Sequence, residues 1–240
     1  MFLSIDTSTS NAGVALSNND QIFISDTWHS TSSHTAELMP AISSILAQSD
    51  IVLNELEGIC IASGPGRFSS LRVGMSVAKG ISIANSIPIA SVGTLDLEAS
   101  PHLGNGLAVC AIIPSGRYDV AYALFNKNSE RIVEDAITSP EELVSKINQP
   151  TLFCGEGLSA HSGIIENSLG HLAHIIHSAP ADRLVALTKL GTERLNTGNS
   201  DNIDRLQPNY IKAPSIGGPK RIGKIIQEMG LMEKNIGDIR

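Results

Sequence analysis

The chain has 240 residues, 42% of them hydrophobic and 17% charged, a balance that fits a folded globular protein and excludes an intrinsically disordered one. A formal charge of −7 and only 4% aromatic residues argue against a protein that binds nucleic acid unaided, which needs clustered Lys and Arg and stacking rings.

In chain order, Phe2 to Thr7, Ala12 to Ser17 and Gln21 to Trp28 read as three strands, the last two joined at Asn18-Asn19-Asp20. A hydroxyl-rich loop with one carboxylate, Asp6-Thr7-Ser8-Thr9-Ser10-Asn11, separates the first two. Thr35 to Ser49 has helical spacing, with Leu38, Ile42, Ile45 and Leu46 on one face and Pro40 in its first turns. Glu55 to Ala62 returns to strand. Ser63-Gly64-Pro65-Gly66 then forces a sharp turn, and from Phe68 to Asn85 the residues favour a helix with Ser69 or Ser70 as its N-cap. This strand–glycine loop–helix unit organises the first half. Ile87 to Val92 is another strand, and Thr94 to Glu98 starts a short helix.

His102-Leu103-Gly104-Asn105-Gly106 is the best domain boundary, which divides the chain into 1–103 and 104–240. Beyond it, Ala108 to Pro114 and Asp119 to Phe125 read as strands paired across Ser115-Gly116-Arg117. Pro140 to Asn148 is helical, Thr151 to Cys154 is a short strand ending in Gly155-Glu156-Gly157, and Arg183 to Leu195 is the longest helix of this half. Pro208 to Ala213 reads as an edge strand. Pro219 to Met229 reads as a terminal helix, and a last helix could return to the first lobe. No internal repeat is legible. A meander followed by alternating helices and strands implies an α/β protein with mixed sheets flanked by helices.

Cys60, Cys110 and Cys154 lie in or beside apolar strand-like runs without CxxC spacing, and so read as reduced core thiols of a cytosolic protein. The first residues lack a basic segment and their apolar run stops at Asp6. No run approaches membrane-spanning length, so a cytoplasmic protein without membrane contact is expected.

The chemistry on offer is sparse. A glycine loop entering a helix N-terminus can hold an anion, and it can equally be a tight connection without a ligand; the P-loop pattern GxxxxGK[ST] is absent. Asp6 could coordinate a magnesium ion through water, or cap the amides of its own loop. His29 and His34 are five residues apart, which on a helix separates them by about 140°. His171, His174 and His177 would align on a helix but have no carboxylate or cysteine in register, so no metal site is expected. No nucleophile elbow or HExxH is present, and Arg117 at a turn could clamp a phosphate or stand in solvent. Lys212, Lys220, Arg221 and Lys224 form one basic cluster near the end, a nucleic-acid patch or a solvated helix end.

The run MFLSIDTSTSNAGVAL, a helix beginning near His34, and IASGPGRFSSLRVGMSVAKGISIANSIPIASVGTLD together resemble the TsaB (YeaZ) family. This family is the bacterial partner subunit of the tRNA threonylcarbamoyladenosine machinery. The likeness is close over about the first hundred residues, and Gln207-Pro208-Asn209-Tyr210-Ile211-Lys212 is similar to the family's P-x-Y-L-R element. The resemblance implies the actin-like ATPase fold, two ribonuclease-H-like lobes, with Asp6, Thr7 and Ser8 matching a first phosphate loop and Gly64 and Gly66 as further candidate phosphate- or nucleotide-binding residues. It implies a non-catalytic scaffold that binds TsaD, the related catalytic subunit, with TsaE joining as an ATPase. Together they would place threonylcarbamoyl on N6 of adenosine 37 in tRNAs reading codons that begin with A. A homodimer is implied when TsaD is absent, and tRNA would be reached only through the complex. The helices after His34 and Gly66 would form the shared surface, through His34, Leu38, Phe68, Leu71, Arg72, Gly74, Met75 and Ala78. No cofactor is firmly implied; ATP with magnesium at or near that surface is the candidate.

The chain departs from the family's GPGSFTGLR at Arg67 and Ser70, and its Ile113 to Val120 is a weak form of the family's D-A-R-x-G-E-V-Y. TsaD carries a histidine pair after the corresponding helix, whereas Gly93 to Glu98 here has none, so catalysis by this chain alone is not expected. The rival reading is an ATP-dependent kinase or acyltransferase of the same superfamily. It would use Asp6 for the metal and Gly64 to Gly66 for phosphate, with Gly155-Glu156-Gly157 as the sole candidate for a second nucleotide loop. A glycoprotease reading finds no catalytic constellation.

Overall fold

The computed structural model describes residues 1–30 and 34–211. Strands β1 (Phe2–Asp6), β2 (Asn11–Asn18) and β3 (Gln21–His29) form an antiparallel meander. Two further strands, β4 (Gly58–Gly64) and β5 (Ile89–Gly93), add in parallel on the far side of β1, giving the order β3-β2-β1-β4-β5. Helix α1 (His34–Gln48) precedes β4, and α2 (Phe68–Asn85) crosses from β4 to β5.

After the short α3 (Thr94–Ala99), the same plan is built again. Strands β6 (Ala108–Ser115), β7 (Asp119–Phe125) and β8 (Arg131–Thr138) are an antiparallel meander, and helix α4 (Pro140–Ser145) leads to β9 (Thr151–Cys154), parallel to β6. Helix α5 (Leu158–Leu169) then crosses to β10 (Ala173–Ile175), parallel to β9. The second sheet, β10-β9-β6-β7-β8, therefore repeats the topology of the first. This duplication, not legible in the sequence, is carried by the order of pairing rather than by residue identity. The fold is the actin-like ATPase fold, in agreement with the expectation.

Helix α6 (Pro180–Asn196), the longest after the first sheet's α2, returns to the first sheet. Ala15, Cys60, Ala62, Leu184 and Leu187 form one cluster, and Ser4 Oγ lies 2.8 Å from Thr188 Oγ1. Close approach depends on glycine: a Cβ at Gly191 would come within 2.5 Å of Cys60 Sγ, and one at Gly58 within 2.6 Å of Leu195. On the opposite face, α1 and α2 bury Leu38, Ile42, Ile45, Met75, Ala78 and Ile81 against Leu3, Ile5, Ile59 and Ile61. Each fully buried Leu or Ile contributes about 1.5–3 kcal/mol, so the helices are held mainly by this face.

Several local expectations change. The N-cap of α2 is Arg67, not Ser69 or Ser70, and no side chain caps it; Ser70 is buried and its carbonyl accepts from Thr7 Oγ1 at 2.8 Å. Strand β8 and helix α5 were not legible. Charges on both faces of Arg131–Thr138 obscure the strand's alternation, and α5 buries only Leu158 and Ile165, too few for a stripe. Residues 208–211 form no strand. Asn209 N donates to Ser63 O at 2.7 Å, and Tyr210 packs on Phe68 with ring centroids 4.7 Å apart. The terminal helix and the basic cluster at Lys212, Lys220, Arg221 and Lys224 lie outside the described residues.

Two glycines of α2 are opposites. A Cβ at Gly74 would sit 2.3 Å from Thr7 Oγ1, whereas one at Gly80 meets nothing within 4 Å. Gly80→Ala is expected to stabilise the fold by about 0.5–1 kcal/mol through helix propensity. Gly74→Ala is expected to destabilise it by about 1–3 kcal/mol through overpacking, both read from urea unfolding midpoints.

Candidate functional site

The end of β1 carries Asp6 into the cleft between the two sheets. There it meets Arg183, from the first turn of α6. Arg183 Nε donates to Asp6 Oδ2 at 2.5 Å. Its Nη1 donates to Glu98 Oε1 at 2.9 Å and to Glu156 Oε1 at 2.8 Å. Its Nη2 donates to Thr9 Oγ1 at 2.9 Å and to the Asn11 carbonyl at 2.6 Å. A guanidinium has five N–H donors, and all five are used. The acceptors come from β1, the loop after it, the start of β2, α3 and the turn after β9, so one cation joins both sheets.

Burial works against the charge on Arg183, but Asp6, Glu98 and Glu156 more than offset it and raise its pKa. Burial also raises the pKa of Glu98, partly opposed by Arg183. Glu156 is held by its glycines: Gly155 has φ +99, and a Cβ there would meet the Ile112 carbonyl at 2.4 Å. Glu156 Oε1 also accepts from Thr9 Oγ1 at 2.5 Å and Asn11 Nδ2 at 2.9 Å. The turn Gly155-Glu156-Gly157, the rival reading's second nucleotide loop, therefore serves as the second lobe's half of the clasp.

The candidate phosphate-loop residues have internal partners. Asp6 Oδ1 accepts from Ser8 N at 2.9 Å and Ser8 Oγ at 2.6 Å, while Thr7 bonds to Ser70. Gly66 lies against the Ser8 carbonyl, where a Cβ would come within 2.1 Å, and Arg67 N donates to that carbonyl at 2.9 Å. Gly64, at φ +107, faces the Asn209 carbonyl. The loops are brought together, and their polar groups bind each other.

Of the residues expected on the partner surface, Leu38, Leu71, Met75 and Ala78 are buried in the chain's own interior, and Gly74 faces Thr7. That corrects the expectation, because these side chains are spent on packing against the sheet. His34 is buried too, with Nε2 donating to the Thr9 carbonyl at 3.1 Å, an arrangement that leaves Nδ1 an acceptor without a partner among the described residues. Phe68 is half-buried and Arg72 exposed; the Arg72 guanidinium carbon lies 3.8 Å from the Phe68 ring centroid, and Nε donates to Tyr210 Oη at 3.1 Å. The outward surface of the helix pair includes Ala36, Met39, Ser43 and Ala47 of α1 and Arg72, Ser76, Gly80 and Ile83 of α2, with Val73 and Val77 half-buried beside them. Ile83 is 65% exposed and Met39 42%. Arg72 is the one charged residue among the exposed positions of the two helices, a sparse charge for a solvated face.

Arg183 and Glu98 were missed as functional residues. A signal existed: Arg183 recurs with Leu187 and Gly191 at helical spacing, so a charge stands within the buried stripe of α6.

The chain matches the family model described as TsaD, tRNA N6-adenosine threonylcarbamoyltransferase, over residues 29–216. It is 30% identical over 218 residues to the tRNA threonylcarbamoyladenosine biosynthesis protein TsaB of Bacillus subtilis, covering 88% of this chain and 93% of that protein. The chain belongs to the TsaB (YeaZ) family. Among solved structures, YeaZ from Pseudomonas aeruginosa shares the fold with a TM-score of 0.68 at 22% identity, over 88% of this chain and 99% of that one. The activator of 2-hydroxyisocaproyl-CoA dehydratase from Clostridium difficile, described with bound ADPNP, shares it more distantly, with a TM-score of 0.50 at 9% identity over 83% and 97% of the two chains. In this TsaB-family chain the cleft between the lobes holds Arg183.

Arg183→Met would leave Asp6 and Glu98 buried without their counter-ion and should cost about 3–5 kcal/mol of stability, measured by urea unfolding at neutral pH. His34 gives a separate pH dependence. Burial lowers its pKa from 6.5, so the folded protein holds it neutral where the unfolded chain takes up a proton. Its contribution is present above pH 6.5 and is lost as pH falls towards and through the lowered folded value. The melting temperature should therefore fall on acidification below pH 6.5, with a shallower slope in His34→Gln.

Proposed function

We propose that this chain serves tRNA threonylcarbamoyladenosine biosynthesis as a non-catalytic cytoplasmic subunit that binds and supports the transferase TsaD. The observation that carries the reading is the saturation of Asp6 by Arg183 and Ser8. The carboxylate best positioned to hold a magnesium–nucleotide is fully engaged within the chain, and the neighbouring glycine loop donates its amide to Ser8. What remains on offer is a surface, and the outward face of α1 and α2, with Arg72 as its one exposed charge, has the apolar, small-residue character of a specific interface core.

Membership of the family supports the pathway, and the names of its relatives supply the reaction. On this reading the α1–α2 face meets TsaD, pairs with a second copy of this chain when TsaD is absent, and leaves TsaE and tight binding of tRNA to the complex. ATP and magnesium would then act at or near the shared surface, on groups supplied mainly by partners.

The test is size-exclusion light scattering of the full chain with TsaD from the same cell, followed by threonylcarbamoyl transfer to tRNA assayed on the fractions. The wild-type chain should co-elute with TsaD, and transfer should require both. The double variant Ser76→Arg, Gly80→Glu alters two exposed positions and should keep unfolding stability within about 1 kcal/mol while co-elution and transfer fall at least about tenfold. Transfer by the lone chain, or unaltered co-elution of the double variant, would overturn the reading.

A further inference from the structure

A second cleft, of about 390 Å³, opens beside the clasp at the carboxyl ends of β4 and β6. Crevices at such strand ends are where ligands of α/β sheets commonly bind. Its walls are Pro65 to Phe68, the β6–β7 hairpin from Ile113 to Gly116, Ala121, Ile137, and the strap Asn209-Tyr210-Ile211. Three features give it a chemical character. No carboxylate lines it among the described residues, in a chain whose formal charge is −7. Two of the chain's few aromatic rings, Phe68 and Tyr210, stand together on one wall, braced by the Arg72 guanidinium. One cation, Arg67, stands exposed at the rim, and its side chain has no hydrogen-bond or ion-pair partner among the described residues.

We propose that this cleft holds one nucleotide of a single-stranded RNA segment, with its base against the Phe68–Tyr210 wall and its phosphate on Arg67. The proposal rests on the reading of this chain as a tRNA-modification subunit. A flat ring with one anionic group matches an aromatic wall and a single guanidinium, and the volume suits one nucleotide unit. A free di- or triphosphate fits worse, because it brings more negative charge than the single exposed guanidinium at the rim can neutralise. The acidic balance of the whole chain confines the attraction to this spot. Affinity of the isolated chain should be weak and its salt slope shallow, near −0.7 for each phosphate engaged.

The test is fluorescence anisotropy of a short labelled single-stranded RNA titrated with the full chain at low and physiological salt. AMP, ATP and a duplex of the same sequence serve as competitors. Saturable binding is expected, displaced by unlabelled single strand better than by AMP, ATP or duplex. Arg67→Ala should flatten the salt slope by about 0.7, and Tyr210→Leu should weaken binding about tenfold at unchanged slope. Both variants should still co-elute with TsaD, which shows that the fold and the helical face persist. Absence of saturable binding, indifference to both substitutions, or preferential displacement by ATP or duplex would overturn the proposal. Because co-elution is scored separately, a wild-type chain that binds TsaD but not RNA defeats this inference alone, and one that fails to bind TsaD defeats the reading it rests on.

Discussion

One buried guanidinium holds this molecule's two halves in register. Arg183 is 3% exposed and faces three carboxylates drawn from both lobes, with a hydroxyl and a backbone carbonyl completing its set. Taking four charged groups out of water costs several kcal/mol per ion, so such a cluster survives only when nearly every donor and acceptor is met. Here the planar fork of arginine meets that condition, and a lysine, with three donors on a point charge, could not. At Glu98 burial outweighs the pull of the shared cation and raises the carboxyl pKa.

That constraint decides what the neighbouring loops can do. Residues 6–9 and 64–66 have the composition of ligand-binding loops, yet they are folded onto one another: the Ser8 carbonyl occupies the space that a side chain at position 66 would fill, and Thr7 occupies the space above Gly74. Gly66 and Gly74 instead allow the first loop to press against α2. The polar groups of these loops thus face one another, and the sparsely charged outer face of α1 and α2 lies on the far side of the helices from them.

Much of the first sheet was legible because its signals are local. The meander, the glycine turn and the long helix that follows are written in alternation, in Gly64-Pro65-Gly66, and in a run without proline. What escaped was long-range. The family resemblance put Leu71, Met75 and Ala78 on a shared surface, but which residues turn inward depended on β1 and its loop. Leu71, Met75 and Ala78 proved internal, and the outer face fell to residues such as Ser76 and Ile83. The clasp escaped for the same reason, since Asp6 and Arg183 are 177 positions apart and neither has a local mark of its partner. The repeated topology escaped because backbone pairing order can be preserved while side chains are not.

The return of α6 to the first sheet has a consequence for how the chain comes into being. Strands β1 to β5 are complete by residue 93, yet the helix that covers their second face begins at residue 180. A ribosome would therefore expose a sheet with one bare apolar face, and an unneutralised Asp6 at its edge, while the whole second lobe is being made. Closure of the first lobe must wait for the second. The two halves, though alike in plan, mature as one cooperative unit rather than as beads folded in succession.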